Sequence, residues 1–152
     1  AGEKFGPDLF MHFLLLDACL VLLFSLITAY YFTSRRARKK GQKIFDSVGW
    51  RLTTNILTPL AFGGIFCLIL IHHRLFFLVA PCTLLFYGLA LINGSKYTLD
   101  EIRYLGYCEA ILGLVATAFP GYGIVFWILG FGFLHIFYGL LMWNKYERTE
   151  KL

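Results

Sequence analysis

Charged residues are scarce in this chain, since Asp, Glu, Lys and Arg make up 15% of its 152 residues. A soluble domain carries about a quarter, because it must cover a surface that faces water. Hydrophobic residues reach 59%, aromatic residues reach 18%, and the mean hydropathy is +0.69. The composition therefore excludes an ordinary soluble fold and predicts an integral membrane protein.

Sequence signatures of catalysis and of cofactor binding are also missing. The chain has no nucleotide-binding glycine loop and no HExxH, GxSxG or CxxC pattern. Its four cysteines lie inside apolar runs without metal-ligand spacing, so neither a disulfide framework nor a zinc site is predicted. We therefore expect no enzymatic activity and no cofactor.

Five apolar runs account for most of the chain. They predict membrane spans at about 9–33, 52–71, 75–92, 104–119 and 124–143. The criterion is the helix length needed to cross a hydrocarbon core of about 30 Å. A basic loop, 34–51, follows the first run, and shorter polar turns separate the others. The predicted fold class is all-α, a polytopic transmembrane helical bundle that forms a single domain over 1–152.

Two local signals predict where helices end and begin. Gly94 in the Asn93-Gly94-Ser95 turn is expected to act as a helix C-cap. Thr98 is expected to be the N-cap of the next helix, with Asp100 and Glu101 in the first turn.

The basic residues predict the orientation. Seven Lys and Arg residues fall in the basic loop, two in the loop before the fourth span and three in the C-terminal tail. Only Lys4 and Arg74 fall on the opposite side, so the positive-inside rule predicts an N-out, C-in topology. This placement explains the net charge of +5 without nucleic acid. Six residues of the loop are expected to contact anionic lipid headgroups: Arg35, Arg36, Arg38, Lys39, Lys40 and Lys43.

Ionisable residues at membrane depth are the candidate site, because such groups are costly unless they face a partner or a hydrated cavity. Glu109 on the fourth span and His135 on the fifth lie at similar depth, and Tyr138 lies one turn from His135. We expect these three to cluster. Asp17 on the first span is a further candidate, but its depth differs from that of Glu109. The cluster is either a protonatable site in a transport path or, as we favour, a polar link between helices.

Three histidines near the predicted outer surface offer a weaker candidate. His12, His72 and His73 are residue types that bind transition metals or haem iron. His72 and His73, however, are adjacent in a turn where polar residues belong in any case. We therefore predict no metal site.

Glycines recur at a spacing of seven on the last two predicted spans. Gly106 and Gly113 mark the fourth span, and Gly132 and Gly139 mark the fifth. Small residues in one stripe let two helices approach closely. The pattern predicts a tightly packed hairpin of these two spans.

The segments Pro59–Leu70, Ala80–Leu114 and Phe119–Gly139 resemble a family of uncharacterised small polytopic inner-membrane proteins of Bacteroidetes-type bacteria. The resemblance runs from Gly49 to Tyr146. It implies a bacterial inner (cytoplasmic) membrane location and gives no activity to carry over. Members are longer at the N-terminus, so we expect an upstream span that this chain lacks.

Two main functional hypotheses remain, beside a minor third, an intramembrane enzyme or haem protein that uses His12, His72, His73 or His135. The first is a non-enzymatic structural, accessory or regulatory membrane subunit, with membrane lipids and a membrane protein or a second copy as partners. The alternative is a small oligomeric transporter or channel with a protonatable intramembrane site.

Overall fold

The computed structural model describes residues 47–147, and all the regular structure of these residues is helical. Helices α1 (Ser47–His72), α2 (Val79–Gly94) and α3 (Asp100–Ala118) come first, with 3₁₀ turns at Phe76–Leu78 and Ser95–Tyr97. The predicted first span, with Asp17 and His12, lies outside the described residues, as do the six basic residues expected to contact lipid. The all-α prediction is confirmed.

The last helical stretch contains two π-helical segments, in which the helix is wider than an α-helix. It begins as α4 (Gly123–Trp127), widens into a π-helical segment at Ile128–Leu134, continues as α5 (His135–Met142) and ends in a second π segment, Trp143–Glu147. We call Gly123–Lys145 the C-terminal helix, because it runs without a break. π segments are rare and occur often at functional sites.

Among residues 47–147, three helical stretches are long and apolar enough to cross a membrane: Gly49–His72, Phe76–Tyr97 and the C-terminal helix. Helix α3 is not among them, since it carries four charged residues, Asp100, Glu101, Arg103 and Glu109. Large apolar side chains point outward on every long helix, as with Phe62 at 67% exposure and Ile136 at 68%. An apolar outer surface is what a lipid-facing bundle presents, and the chain is a helical membrane protein.

Consecutive helices pack antiparallel. On α2, Gly94 faces Ile56 near the start of α1, and Phe86 faces Gly63 further along α1. Near the turn between these helices, Cys67 and Leu70 of α1 and Cys82 of α2 form a small buried cluster. Helix α2 therefore uses one face against α1 and has another for α3.

The closest helix contact joins α2 and α3 through glycines. A Cβ on Gly88 would lie 2.5 Å from the Ala110 nitrogen, and one on Gly113 would lie 2.7 Å from the Leu85 nitrogen. Gly106 likewise faces the Gly88 carbonyl. The predicted glycine hairpin of the last two spans is wrong, because Gly106 and Gly113 face α2 instead.

The glycines on the other predicted stripe make no close approach. A Cβ on Gly132 would find its nearest neighbour at 3.8 Å, within its own helix, and one on Gly139 would have nothing within 4 Å.

Two predictions about helix ends are also wrong. Gly94 has a right-handed φ of −66°, and its role is to make room for Ile56. The N-cap of α3 is Leu99, which has no side chain able to accept a hydrogen bond from the first turn. Asp100 and Glu101 do lie in that turn. The turn before the C-terminal helix needs its glycine, since Gly121 has a φ of +99°.

Candidate functional site

Glu109 lies at the centre of the described bundle and has 0% of its surface exposed. It occupies the middle of α3, on the side that faces the C-terminal helix. Gly130 on that helix leaves the space that the carboxyl fills, because a Cβ there would lie 2.5 Å from both Glu109 Oε2 and Leu84 Cδ2. The carboxyl is therefore enclosed by packed atoms.

The ionisable partner of this carboxyl is His135. Its Nδ1 lies 3.2 Å from Glu109 Oε1 and 3.0 Å from the Gly130 carbonyl oxygen. A carbonyl oxygen can only accept, so Nδ1 carries a hydrogen. The Gly130 carbonyl belongs to the π segment, and His135 is the first residue after it. The wide turn thus places a carbonyl and an imidazole together beside α3.

Tyr87 brings α2 into the same site. Its hydroxyl and His135 Nε2 are 2.9 Å apart, and its ring lies against the rings of Phe131 and His135 at centroid distances of 4.9 and 5.4 Å. Since Nδ1 carries a hydrogen, a neutral imidazole accepts at Nε2 from the tyrosine O–H, and an imidazolium donates to the tyrosine oxygen. We call Glu109, His135 and Tyr87 the polar cluster. It joins three helices.

Two features of the site differ from what the sequence suggests. The structure brings Glu109 and His135 together, but Tyr138 lies elsewhere, with its hydroxyl 3.9 Å from Cys108 Sγ. Tyr87 takes the place expected for Tyr138. A buried tyrosine usually finds a hydrogen-bond partner, so a tyrosine within the third apolar run was the available signal.

Neither carboxylate oxygen of Glu109 has a partner in good hydrogen-bond geometry within residues 47–147. The 3.2 Å approach of His135 Nδ1 is an electrostatic contact, because the N–H of that atom is better aligned with the Gly130 carbonyl. A buried carboxyl without such partners is costly. The carboxyl of Glu109 therefore has an ionisable neighbour in His135 but lacks well-aligned hydrogen bonds.

The histidines and cysteines of the described residues do not suggest a metal. No group of three or more His, Cys, Asp or Glu side chains in residues 47–147 could hold an ion. His72 and His73 are exposed and contact each other edge to face.

A groove of about 310 Å³ lies between α2 and the C-terminal helix, lined by Phe76, Val79, Ala80, Thr83, Ile124 and Trp127. None of the three residues of the polar cluster lines it. The groove is therefore separate from the buried carboxyl.

No family model, curated protein or solved structure matches this chain. The role of the polar cluster therefore rests on its own geometry, and the resemblance to a bacterial membrane family stays a prediction.

Proposed function

We propose that this chain is a multi-pass protein of the bacterial inner membrane with five spans, an extracytoplasmic N-terminus and a cytoplasmic C-terminus. The distribution of Lys and Arg supports the orientation, since only Lys4 and Arg74 fall on the outer side. The family resemblance supports the choice of membrane. Three described helices already have the length and composition of spans.

Helix α3 is the span that composition alone does not support. Its 19 residues extend about 28 Å at a rise of about 1.5 Å per residue, close to the thickness of the hydrocarbon core. Three of its four charged residues, Asp100, Glu101 and Arg103, lie in the first turn, where they reach the interface. The fourth, Glu109, is buried against its neighbours and away from lipid. The position of the charges therefore supports a fourth crossing.

Within this membrane protein, we infer a non-enzymatic structural, accessory or regulatory role. The observation that carries the proposal is the complete enclosure of Glu109 at the junction of α2, α3 and the C-terminal helix. A transport site needs access for its substrate, whereas Leu84 and Gly130 close the space around this carboxyl. The polar cluster links helices, and the apolar outer surface is available to lipids and to a second copy or a membrane partner.

A small oligomeric transporter or channel is the second candidate. It is favoured by one observation, which is that a buried acid, an imidazole and a phenol lie in contact in series. Such a series can hold and exchange a proton. The side chain of His135, the middle member of the series, is 30% exposed, so the series is open at that residue.

Single cysteines test the topology. The four native cysteines are first replaced, and His73→Cys, Tyr122→Cys and Lys96→Cys are introduced separately at exposed positions. In intact spheroplasts, a membrane-impermeant maleimide is expected to label the first two, and to label Lys96→Cys only after lysis. Labelling of all three from one side would contradict a crossing by α3.

Reconstitution separates the two functional candidates. Vesicles that contain a pH-sensitive dye are loaded with wild-type protein or with the Glu109→Gln variant, and a pH step is applied. The structural role predicts equal, background proton flux in both and a lower thermal midpoint for the variant. A flux that the substitution abolishes would overturn the structural role in favour of transport.

A further inference from the structure

We infer that the polar cluster is a proton-binding site whose occupancy controls how firmly the C-terminal helix is held. The inference rests on the helix-linking role proposed above and adds a ligand to it. Glu109 has two oxygens that lack hydrogen-bond partners among the described residues, although its side chain is fully buried. A purely mechanical link would not need an acid there, because an amide could contact His135 without the charge.

The titratable groups that face the carboxyl come from both helices packed beside it. His135 lies on the C-terminal helix beside the carboxyl, and the hydroxyl of Tyr87 on α2 contacts the other side of the His135 ring. Among the described residues, no Lys or Arg is paired with Glu109; the ion pairs of Arg103 and Lys145 are with Asp100 and Glu101. Within residues 47–147, the net charge of the site is therefore decided by the protons on Glu109 and His135.

One proton shared by Glu109 and His135 leaves the pair without net charge. The proton can stay on the imidazole, facing a carboxylate, or on the carboxyl, facing a neutral imidazole. A second proton leaves an uncompensated cation on the half-buried His135, and loss of the only proton leaves a buried anion on Glu109. Either net charge is strongly unfavourable in a desolvated site. The one-proton state is therefore the state that holds the three helices together.

The geometry also gives the route by which a proton enters. Glu109 is sealed, while the partly exposed His135 contacts both Glu109 and Tyr87. A proton that binds Nε2 makes the imidazole a cation, and the hydrogen on Nδ1 can then pass to Glu109 Oε1 across the 3.2 Å contact, which leaves a neutral imidazole. The gain or loss of a proton is then expected to weaken the packing of the C-terminal helix on α2 and α3.

The test is the thermal midpoint of the full chain, purified in a mild detergent, as a function of pH. The wild type is expected to show a plateau, with the midpoint falling by about 3 to 5 °C per pH unit on each side. On the acid side, stability is lost because the pair gains its second proton as the pH falls. On the alkaline side, it is lost because the pair gives up its only proton as the pH rises.

Three variants assign the two sides of this profile. Glu109→Gln cannot form an unpaired buried carboxylate. It is therefore expected to lose the fall in thermal midpoint at alkaline pH and to keep the fall at acid pH. His135→Gln has no imidazole to charge, so it is expected to keep the alkaline fall and lose the acid one. Asp100→Asn removes an exposed acid from the same helix and is expected to match the wild-type shape.

The height and the shape of the profile test different claims. A Glu109→Gln profile that runs parallel to the wild type at a lower midpoint would overturn proton binding and keep the linking role. A lost alkaline fall with an unchanged plateau would support proton binding and overturn the linking role. An unchanged profile would overturn both.

Infrared spectroscopy of the wild type covers the case in which a variant does not fold. The expected signal is the carbonyl stretch of a protonated, slowly exchanging carboxyl that changes in step with one side of the stability profile. A carboxyl signal that is constant across the whole pH range, or the lack of any slowly exchanging carboxyl, would overturn the inference.

Discussion

Gly130 lies so close to Glu109 that a single added methyl group would stand 2.5 Å from the carboxylate Oε2. The same methyl would stand 2.5 Å from Leu84 Cδ2, so the two neighbours enclose the position from both sides. The burial of the acid on α3 therefore depends on the absence of a side chain on the C-terminal helix.

We expect Gly130→Ala to destabilise the protein by about 1 to 3 kcal/mol, the usual cost of overpacking an enclosed site. The free energy of unfolding in a detergent titration is the measurement. Gly132→Ala and Gly139→Ala are matched controls on the same helix, since their added Cβ atoms meet nothing closer than 3.8 Å. Equal losses for all three variants would show that the effect comes from the helix backbone and not from Glu109.

The hydroxyl of Tyr87 gives a second expectation. Tyr87→Phe keeps the ring contacts and removes the 2.9 Å link to His135 Nε2, at an expected cost of about 0.5 to 1.5 kcal/mol. Tyr107→Phe, at an exposed position of α3, is the control and should change stability little. In uniformly ¹⁵N-histidine-labelled protein, the Nε2 resonance of His135 should shift in the first variant only. An unshifted resonance would mean that the hydroxyl and the imidazole are not in contact.

The approach of α2 to α3 leads to a larger expected loss. In Gly88→Ala, the new Cβ would lie 2.5 Å from the Ala110 nitrogen and 2.6 Å from the Gly106 oxygen, both backbone atoms that cannot rotate away. We expect the two helices to separate and the loss to reach at least the upper end of about 1 to 3 kcal/mol. Gly64→Ala on α1, with nothing within 4 Å, should be neutral or slightly stabilising. Both are read from the same unfolding titration, and a tolerated Gly88→Ala would contradict this helix contact.

The ion pair at the N-terminal end of α3 should contribute much less to the free energy of unfolding. Lys145 Nζ on the C-terminal helix contacts Glu101 Oε1, and the lysine side chain is 62% exposed. A double-mutant cycle with Lys145→Ala and Glu101→Ala is expected to give a coupling of about 0.2 to 1 kcal/mol that falls with added salt. A larger coupling that ignores salt would indicate that this end of the bundle is shielded from water.

The helices could be predicted closely because lipid makes strong demands on local sequence. Runs 52–71 and 124–143 correspond to α1, Ser47–His72, and to the C-terminal helix, Gly123–Lys145. Length, apolar composition and turn residues are local properties, so they are visible without a structure. The acidic first turn of α3 was visible for the same reason.

The contacts between helices could not be predicted in the same way. Which helix faces Gly106 depends on how α3 is rotated between two neighbours, and the sequence does not contain that angle. Tyr138 was predicted in place of Tyr87 for the same reason. The π segment adds to the error, because it changes the rotation of the residues around His135 about the helix axis. Glu109 and His135 could be predicted as site residues, because few ionisable residues lie inside the predicted spans.

The burial of Glu109 by Gly130 has a consequence for biogenesis. During synthesis α3 emerges before the helix that covers its acid, so the translocation machinery first meets a segment with an uncovered carboxyl and three charges in its first turn. Alone, such a segment partitions poorly into lipid. As the fourth span proposed above, α3 would therefore be stable in the bilayer only once the C-terminal helix has joined it. A nascent chain that ends before Gly130 would lack the helix that covers the carboxyl of Glu109.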